Sequence, residues 1–536
     1  MVSFVAASGP QLDSFEGHAE LQSSIDTFHT WFYRHYEHFT SKSKVPANLQ
    51  NKPPVEIRLA NDASMRMGVY ATSDIALDSS YLPVPLGMVL SRETALSPPI
   101  SPFHQKRAPS SLKVAEVLRG LLQSGLNRSP LRSANAVLAL ALLHEAYVVR
   151  EESFFAPYIR LLPATHDTPQ FYTSEELHLI RGTEIPRLVR DRNATHHSQY
   201  QWMKSNVFSV YPELWPMAPL SGSKPLSGPL SRRSQSSSNS GGGSGGAGSY
   251  EAWLWVSGIL DTRMIWWDNE PHLVPMLDMI NCGELRDPHR IHSTFRKDQH
   301  AMTLAPQKFK SGDQIFENYG QPNPTYMMYH GFTMVDNIHD CGSVHIDISK
   351  EILLYSSLNT RRTHNGGGRS KAKLSLSSTI HRLGLKDTVC VAKNSKMSRS
   401  LQAMGGIQEL IAMGRVAYSI DNNDNAAMEK YTRSSVREAL NMKRSIDRKA
   451  VVFAGKLLNR TLAGMATEEE LSMPTAAAEY NGGDPTTFRS QMIRTFVQQQ
   501  KKHIVDSMAF LKSRIKKSVP KTKATHITKK ASDDEL

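Results

Sequence analysis

Cysteine is scarce: Cys282, Cys341 and Cys390 are the only three in 536 residues. They are too few and too scattered for a disulfide scaffold or for paired C-x-x-C zinc ligands, so no metal site is expected and a reducing compartment is the default. Uninterrupted apolar runs are short as well. None approaches the roughly 18 residues of a membrane span, and the opening MVSFVAASGP is too short and lacks the basic flank of a signal peptide. Neither G-x-x-x-x-G-K-[ST] nor a G-x-G-x-x-G between a strand and a helix occurs. A nucleotide-like cofactor would therefore need a site other than a Rossmann crevice. There is no internal repeat.

What is present fits packed domains with insertions. A hydrophobic share of 40% supplies enough apolar surface for cores, and the length suggests two to four domains. The net charge of +13 and pI near 9.4 raise the possibility of a nucleic-acid partner. The excess, however, concentrates in Lys501-Lys502 and in Lys512 to Lys530 without interleaved aromatic residues, a weak pattern for readout. Nucleic acid is not expected as the main partner, nor is a membrane. The chain ends Asp533-Asp534-Glu535-Leu536, close in form to the retrieval tetrapeptides of the endoplasmic reticulum. With no entry signal it reads as a solvated acidic end, and a cytoplasmic or nuclear monomer is expected.

Along the chain, residues 1–50 form an N-terminal helical segment with its pattern around Leu21 to Phe39. Val55 to Leu59 alternates like a strand, Arg66 to Ala71 follows, and a second extended run covers Tyr81 to Leu90. Helical spacing returns over Asn135 to Val149, and Thr173-Ser174-Glu175-Glu176 has capping-box form ahead of another helix. The Ser- and Gly-rich stretch 221–249 cannot bury a core and is expected to be a disordered loop inside one domain; 361–373 is a shorter interruption. Beyond residue 345 the pattern is helical. Val436, Leu440, Ala450, Phe453 and Leu457 suggest one stripe, and after the helix start at Asp484-Pro485 the residues Phe488, Met492, Phe496, Ile504, Met508, Leu511 and Ile515 continue another.

The most telling stretch is Val274 to Phe332. It holds Asp278-Met279-Ile280-Asn281, then Glu317-Asn318-Tyr319-Gly320, Asn323 and Gly331-Phe332. These resemble the two halves of a SET-domain methyltransferase site. Gly68 to Ile75 is similar to the opening strand and turn of that domain. Phe154 to Pro163, with Asp167-Thr168-Pro169 and Gly182-Thr183, resembles the helical insertion of the subgroup typified by the Rubisco large-subunit lysine methyltransferase and the actin histidine methyltransferase. The resemblance spans roughly residues 50 to 340; any single piece is weak and the ordered set is strong.

The resemblance implies an α+β fold: a SET catalytic domain over 51–345 with β-sheets and a helical insertion, an all-α substrate-binding-like domain over 346–515, and a basic tail over 516–536. It also implies S-adenosylmethionine (AdoMet) as cofactor and a protein as substrate. By match to the motifs, Arg66, Met67 and Gly68 contact the cofactor, Arg263 reaches its methionine carboxylate, and Asp278, Asn281 and Cys282 line its pocket. Tyr319 borders the cofactor too and orients the incoming nitrogen. Cys282 stands where the family usually has histidine, and His330 where lysine-methylating relatives have a second tyrosine. Ile265 replaces an amide-bearing residue of the histidine enzyme and is expected, with His330, on the substrate side. Methyl transfer is an in-line displacement at a sulfonium carbon, so positioning carries most of the burden. A lysine of a non-histone protein is the expected acceptor. Histidine methylation and a SET-shaped binding module without turnover stay open.

Overall fold

The computed structural model describes residues 15–41, 46–50, 52–60, 65–98, 109–124, 130, 133–163, 165–220, 245–291, 294–345, 388–391, 406–407, 410–411, 413–415, 445–472 and 488–518. The interruption at 361–373, Val436, Leu440, Asp484-Pro485, residues 519–536 of the basic tail and most of the Ser/Gly stretch lie outside them. Two compact units are present. The first draws on Met1–Phe171, Val189–Gly320 and Tyr326–Met334, the second on Tyr172–Leu188, Gln321–Thr325 and Val335–Leu536.

In the first unit, helix α1 (Phe15–Thr40) places Leu21, Ile25, Phe28, Phe32 and Tyr36 on one face at helical spacing, and all are buried. That face shares one core with the strands, so the N-terminal segment is part of this unit. Strands β1 (Val55–Leu59) and β2 (Met67–Ala71) pair antiparallel, with Val55 opposite Ala71 and Leu59 opposite Met67. The extended run at Tyr81 to Leu90 contributes only the short β3 (Val84–Pro85), which joins β8 (His300–Thr303) and β7 (Thr294–Lys297) in a three-stranded sheet. A hairpin of β4 (Ile265–Trp267) and β5 (Glu270–His272) lies between them in the sequence. Helix α2 (Ala134–His144) is apolar on every side, and every residue from Ala136 to His144 is buried. A pattern hydrophobic all round means a central helix.

The second unit keeps the expected cap: the Thr173 side chain accepts from the Glu176 backbone N–H at 3.2 Å and starts helix α3 (Ser174–Leu179). Helix α4 (Ile185–Met203) starts in this unit, and from Val189 on it belongs to the first. Strands β10 (Gly342–His345) and β11 (Thr388–Val391) pair antiparallel, so this part of the chain is not all-α. Thr388-Val389-Cys390-Val391 is β-branched at three of four positions, and Val389 and Val391 are buried on one side of the pair. The pairing also corrects the reading of the cysteines. Cys341, just before β10, and Cys390 of β11, with Cα atoms 5.4 Å apart, form a disulfide that spacing along the chain could not reveal. Helices α6 (Ser445–Ala463) and α7 (Phe488–Ser518) complete the core with Phe453, Leu457, Ile504 and Leu511. In the first unit, helix α5 (Tyr250–Arg263) lies along the chain between α4 and β4. Among the described residues no helix is long and apolar enough to cross a membrane.

Candidate active site

Three pieces of local structure bring the site together. The first is α5. Ser249 accepts from the Ala252 backbone N–H and caps it, and Trp253, Trp255, Val256, Ile259 and Leu260 bury its body. Its last residues, Thr262 and Arg263, emerge at a cavity. Ser249 and its neighbours Gly245 to Gly248 are packed, with Gly246 N–H bonded to the Met217 carbonyl and Gly248 N–H to that of Pro216. The expected disorder of 221–249 thus fails for its last five residues, because the helix start holds them in place.

The second piece is the parallel pair of β6 (Asn281–Cys282) and β9 (Phe316–Glu317). It sets the 3-10 turn Leu277–Met279 beside the turn that carries Tyr319. That turn is fixed by Asn318, whose side chain accepts from the Gly320 N–H and donates to the Pro288 carbonyl, both at 2.8 Å. The third piece is the π-helical turn Tyr326–His330. It ends at Gly331 with φ +73°, where a Cβ would stand 2.9 Å from the Asp167 carbonyl carbon, so only glycine lets the two stretches approach.

The resulting cavity is lined by Thr262, Arg263, Asp278, Ile280, Asn281, Cys282, Tyr319, His330 and Phe332, together with Pro163, Thr165, His166 and Asp167. Arg263 donates through Nη1 to the Asp278 carbonyl at 2.9 Å. Asp278 is buried; one carboxyl oxygen accepts from the Tyr158 hydroxyl and the other has no protein partner. Burial pushes its carboxyl up to about 7, against the pull of Arg263. The Asn281 amide donates to the Met67 carbonyl at 2.9 Å. Tyr319 donates its hydroxyl to the Ile280 carbonyl at 2.8 Å, and burial raises the phenol well above its ordinary value.

Burial also pushes the Cys282 thiol up to about 12, so it is no thiolate nucleophile. His166 and His330 are both held down to about 4 by burial and are neutral near pH 7. Their rings contribute polarity without charge. Such a cavity has one fixed cation in Arg263, two carboxyls in Asp167 and Asp278, the second pushed up to about 7, and two neutral imidazoles. It suits holding and aligning a neutral nucleophile better than covalent catalysis.

The structure therefore brings Arg263, Asp278, Asn281, Cys282, Tyr319 and His330 to one cavity. Arg66, Met67 and Gly68 lie behind it: Asn281 reaches Met67, and Arg66 donates to the Leu161 carbonyl at 2.9 Å. Ile265 is not among the lining residues. Two positions past the end of α5 the chain has entered β4, where Ile265 pairs with His272 and packs on the main core. Sequence reading missed Thr262 and His166. Thr262 had a signal, since it precedes Arg263; His166 had none, because its partner, the Trp255 carbonyl at 3.0 Å, is distant along the chain.

The fold recurs in solved structures. The SET domain of LSMT bound to lysine and AdoHcy aligns over 93% of both chains with a TM-score of 0.57 and 15% identity. Rubisco LSMT bound to AdoMet aligns over 92% of both with a TM-score of 0.54 and 15% identity. The chain has the SET-domain fold. No family model matches it. Among curated proteins, the actin-histidine N-methyltransferases of Mus musculus and Homo sapiens are 23% identical over 317 residues. This SET-domain chain matches them over 57% of its own length, and the match spans 44% of theirs.

Proposed function

We propose that the chain is an AdoMet-dependent protein N-methyltransferase. The observation that carries the reading is the convergence of Arg263, Asp278, Asn281 and Tyr319 on one cavity of a SET fold. The residues fit the cofactor. Asp278 offers a buried, unpartnered carboxyl oxygen for a cationic or N–H-bearing group, Arg263 offers a guanidinium for a carboxylate, and Asn281, tied to Met67, offers a fixed amide edge. When bound, AdoMet supplies an activated methyl group on sulfur. The protein's part is positional. Tyr319, pinned by its bond to the Ile280 carbonyl, orients the attacking nitrogen, and the buried walls favour that nitrogen in its neutral form by desolvation.

The proposed acceptor is a lysine side chain of a non-histone protein, whose long apolar stem tolerates such walls. A second reading, histidine, is favoured by the name of the curated relatives and by His330, which offers an imidazole where lysine-methylating relatives have tyrosine. Ile265 no longer argues against it, because it stands outside the cavity. Peptide pairs carrying Lys or His at a mapped position separate the two: preferential methylation of the histidine peptide sinks the lysine assignment.

A further inference from the structure

Arg192 of α4 grips both pieces of chain that carry the far wall of the cavity. Its guanidinium pairs with the Asp261 carboxylate, and its Cζ stands 5.4 Å from the ring centre of Tyr329. Asp261 immediately precedes Thr262 and Arg263, and Tyr329 immediately precedes His330. The pair is shielded: the side chains of Arg192 and Asp261 are 24% and 9% exposed. A flat, rigid fork that bonds a carboxylate and covers an aromatic face is a task for arginine and not for lysine.

His330 is itself held from two sides. One ring nitrogen faces the Thr262 backbone, and its ring centre is 5.4 Å from that of Tyr319. A nitrogen that donates to the Thr262 carbonyl leaves the other as an acceptor, so the tautomer depends on the spacing between Thr262 and His330. Arg192 is not itself among the residues lining the cavity.

We propose that Arg192 is a positioning residue: by pairing with Asp261 and covering Tyr329 it locks Thr262 against His330, and so sets the tautomer and ring angle that His330 presents beside Tyr319. This rests on the methyltransferase reading for its consequence in turnover, but not for its structural content. Burial pushes the Asp261 carboxyl up to about 6, against Arg192, so the clamp opens as pH falls through that value. The groups on the elements packed there are Arg192 and, one turn on, His196 of α4, and Tyr329 and His330 of the π turn. Burial holds His196 down to about 4, so Arg192 is the fixed cation facing Asp261.

The test uses the full chain as wild type, Arg192→Gln and Arg192→Lys. Correlation spectra of 15N-labelled histidine rings, with His330 assigned by its loss in His330→Asn, report tautomer and titration directly. Wild-type His330 should show one neutral tautomer and no titration near pH 6.5. Arg192→Gln should mix the tautomers or move the titration toward that value, with AdoMet affinity unchanged by calorimetry and methyl-transfer kcat down by about tenfold or more. Arg192→Lys, which keeps the charge and loses the fork, should fall between. An unchanged His330 spectrum in Arg192→Gln overturns the proposal. If that variant does not fold, the near-isosteric Asp261→Asn makes the same comparison and the same two outcomes decide. A wild type that transfers no methyl group removes the methyltransferase reading, while the ring spectra still decide what Arg192 does.

Discussion

Replacing Tyr319 by phenylalanine should separate binding from chemistry. The ring stays, with its neighbours His330 and Tyr326 at 5.4 and 6.5 Å between centres, so no cavity opens. What is lost is one hydroxyl and its 2.8 Å bond to the Ile280 carbonyl. A lost neutral hydrogen bond, with its acceptor left unmet, costs about 1 to 2 kcal/mol of stability. The loss at the transfer step should be larger, because the same hydroxyl is proposed to align the incoming nitrogen. Removing such a preorganised group typically costs about 2 to 4 kcal/mol, or roughly 30- to 1,000-fold in rate. Calorimetry with AdoMet and single-turnover transfer to a mapped peptide measure the two quantities apart. Affinity within a few-fold of wild type with slow transfer is expected. Full activity in Tyr319→Phe refutes the role given to the hydroxyl, and a collapse of AdoMet binding instead would move Tyr319 from the acceptor to the cofactor.

Four further outcomes are expected. Arg263→Ala should weaken AdoMet binding at least about tenfold, since a charge-assisted contact is worth about 1.5 to 3 kcal/mol; unchanged affinity by calorimetry removes Arg263 from the site. Gly68→Ala would put a Cβ 2.3 Å from Gln314 Nε2 and 3.2 Å from Asn281 Nδ2. It should displace the Gln314 amide from Tyr70, shift Asn281 and lower AdoMet affinity, and full affinity would show that Asn281 does not contact the cofactor. Acid should destabilise the fold: burial holds His166, His196, His272 and His330 at about 4 against an ordinary 6.5, so their contribution is full above 6.5 and is lost as pH falls toward 4. Asp261 and Asp278, raised to about 6 and about 7, act in the opposite sense; with four histidines against two carboxyls the melting temperature should drop over that window, and a flat profile contradicts the neutral assignments. Finally, exchanging residues 221–244 for a short linker should leave melting and AdoMet affinity nearly intact, because Gly246 N–H already bonds the Met217 carbonyl at 3.0 Å and keeps the ends together. Unfolding of the shortened protein would show that the segment packs.

The parts of this molecule legible in the sequence are those whose signals are local or motif-bound. The apolar face of α1, the Thr173 cap and the β1 alternation follow from spacing alone. Asn281 and Tyr319 could be paired because each sits in a recognisable turn, and β6 and β9 explain why the turns meet. Ile265 stands in β4 and outside the cavity lining, a position that counting along the chain from Arg263 does not reveal because α5 has ended and β4 has begun. The Cys341–Cys390 disulfide and the Arg192–Asp261 pair depend on contacts 49 and 69 residues apart, for which no local pattern exists. The neutral state of His166 likewise comes from burial that only the folded chain supplies.

The central claim is methyl transfer from AdoMet to a protein nitrogen. Incubating the purified protein with AdoMet labelled in its methyl group and with cell extract, then mapping the labelled residue by mass spectrometry, tests it most directly. The account predicts label on a side-chain nitrogen of a discrete protein, lysine first, that is lost with Tyr319→Phe. Binding of AdoMet with no label transferred to any protein would contradict it and leave a SET-shaped binding module.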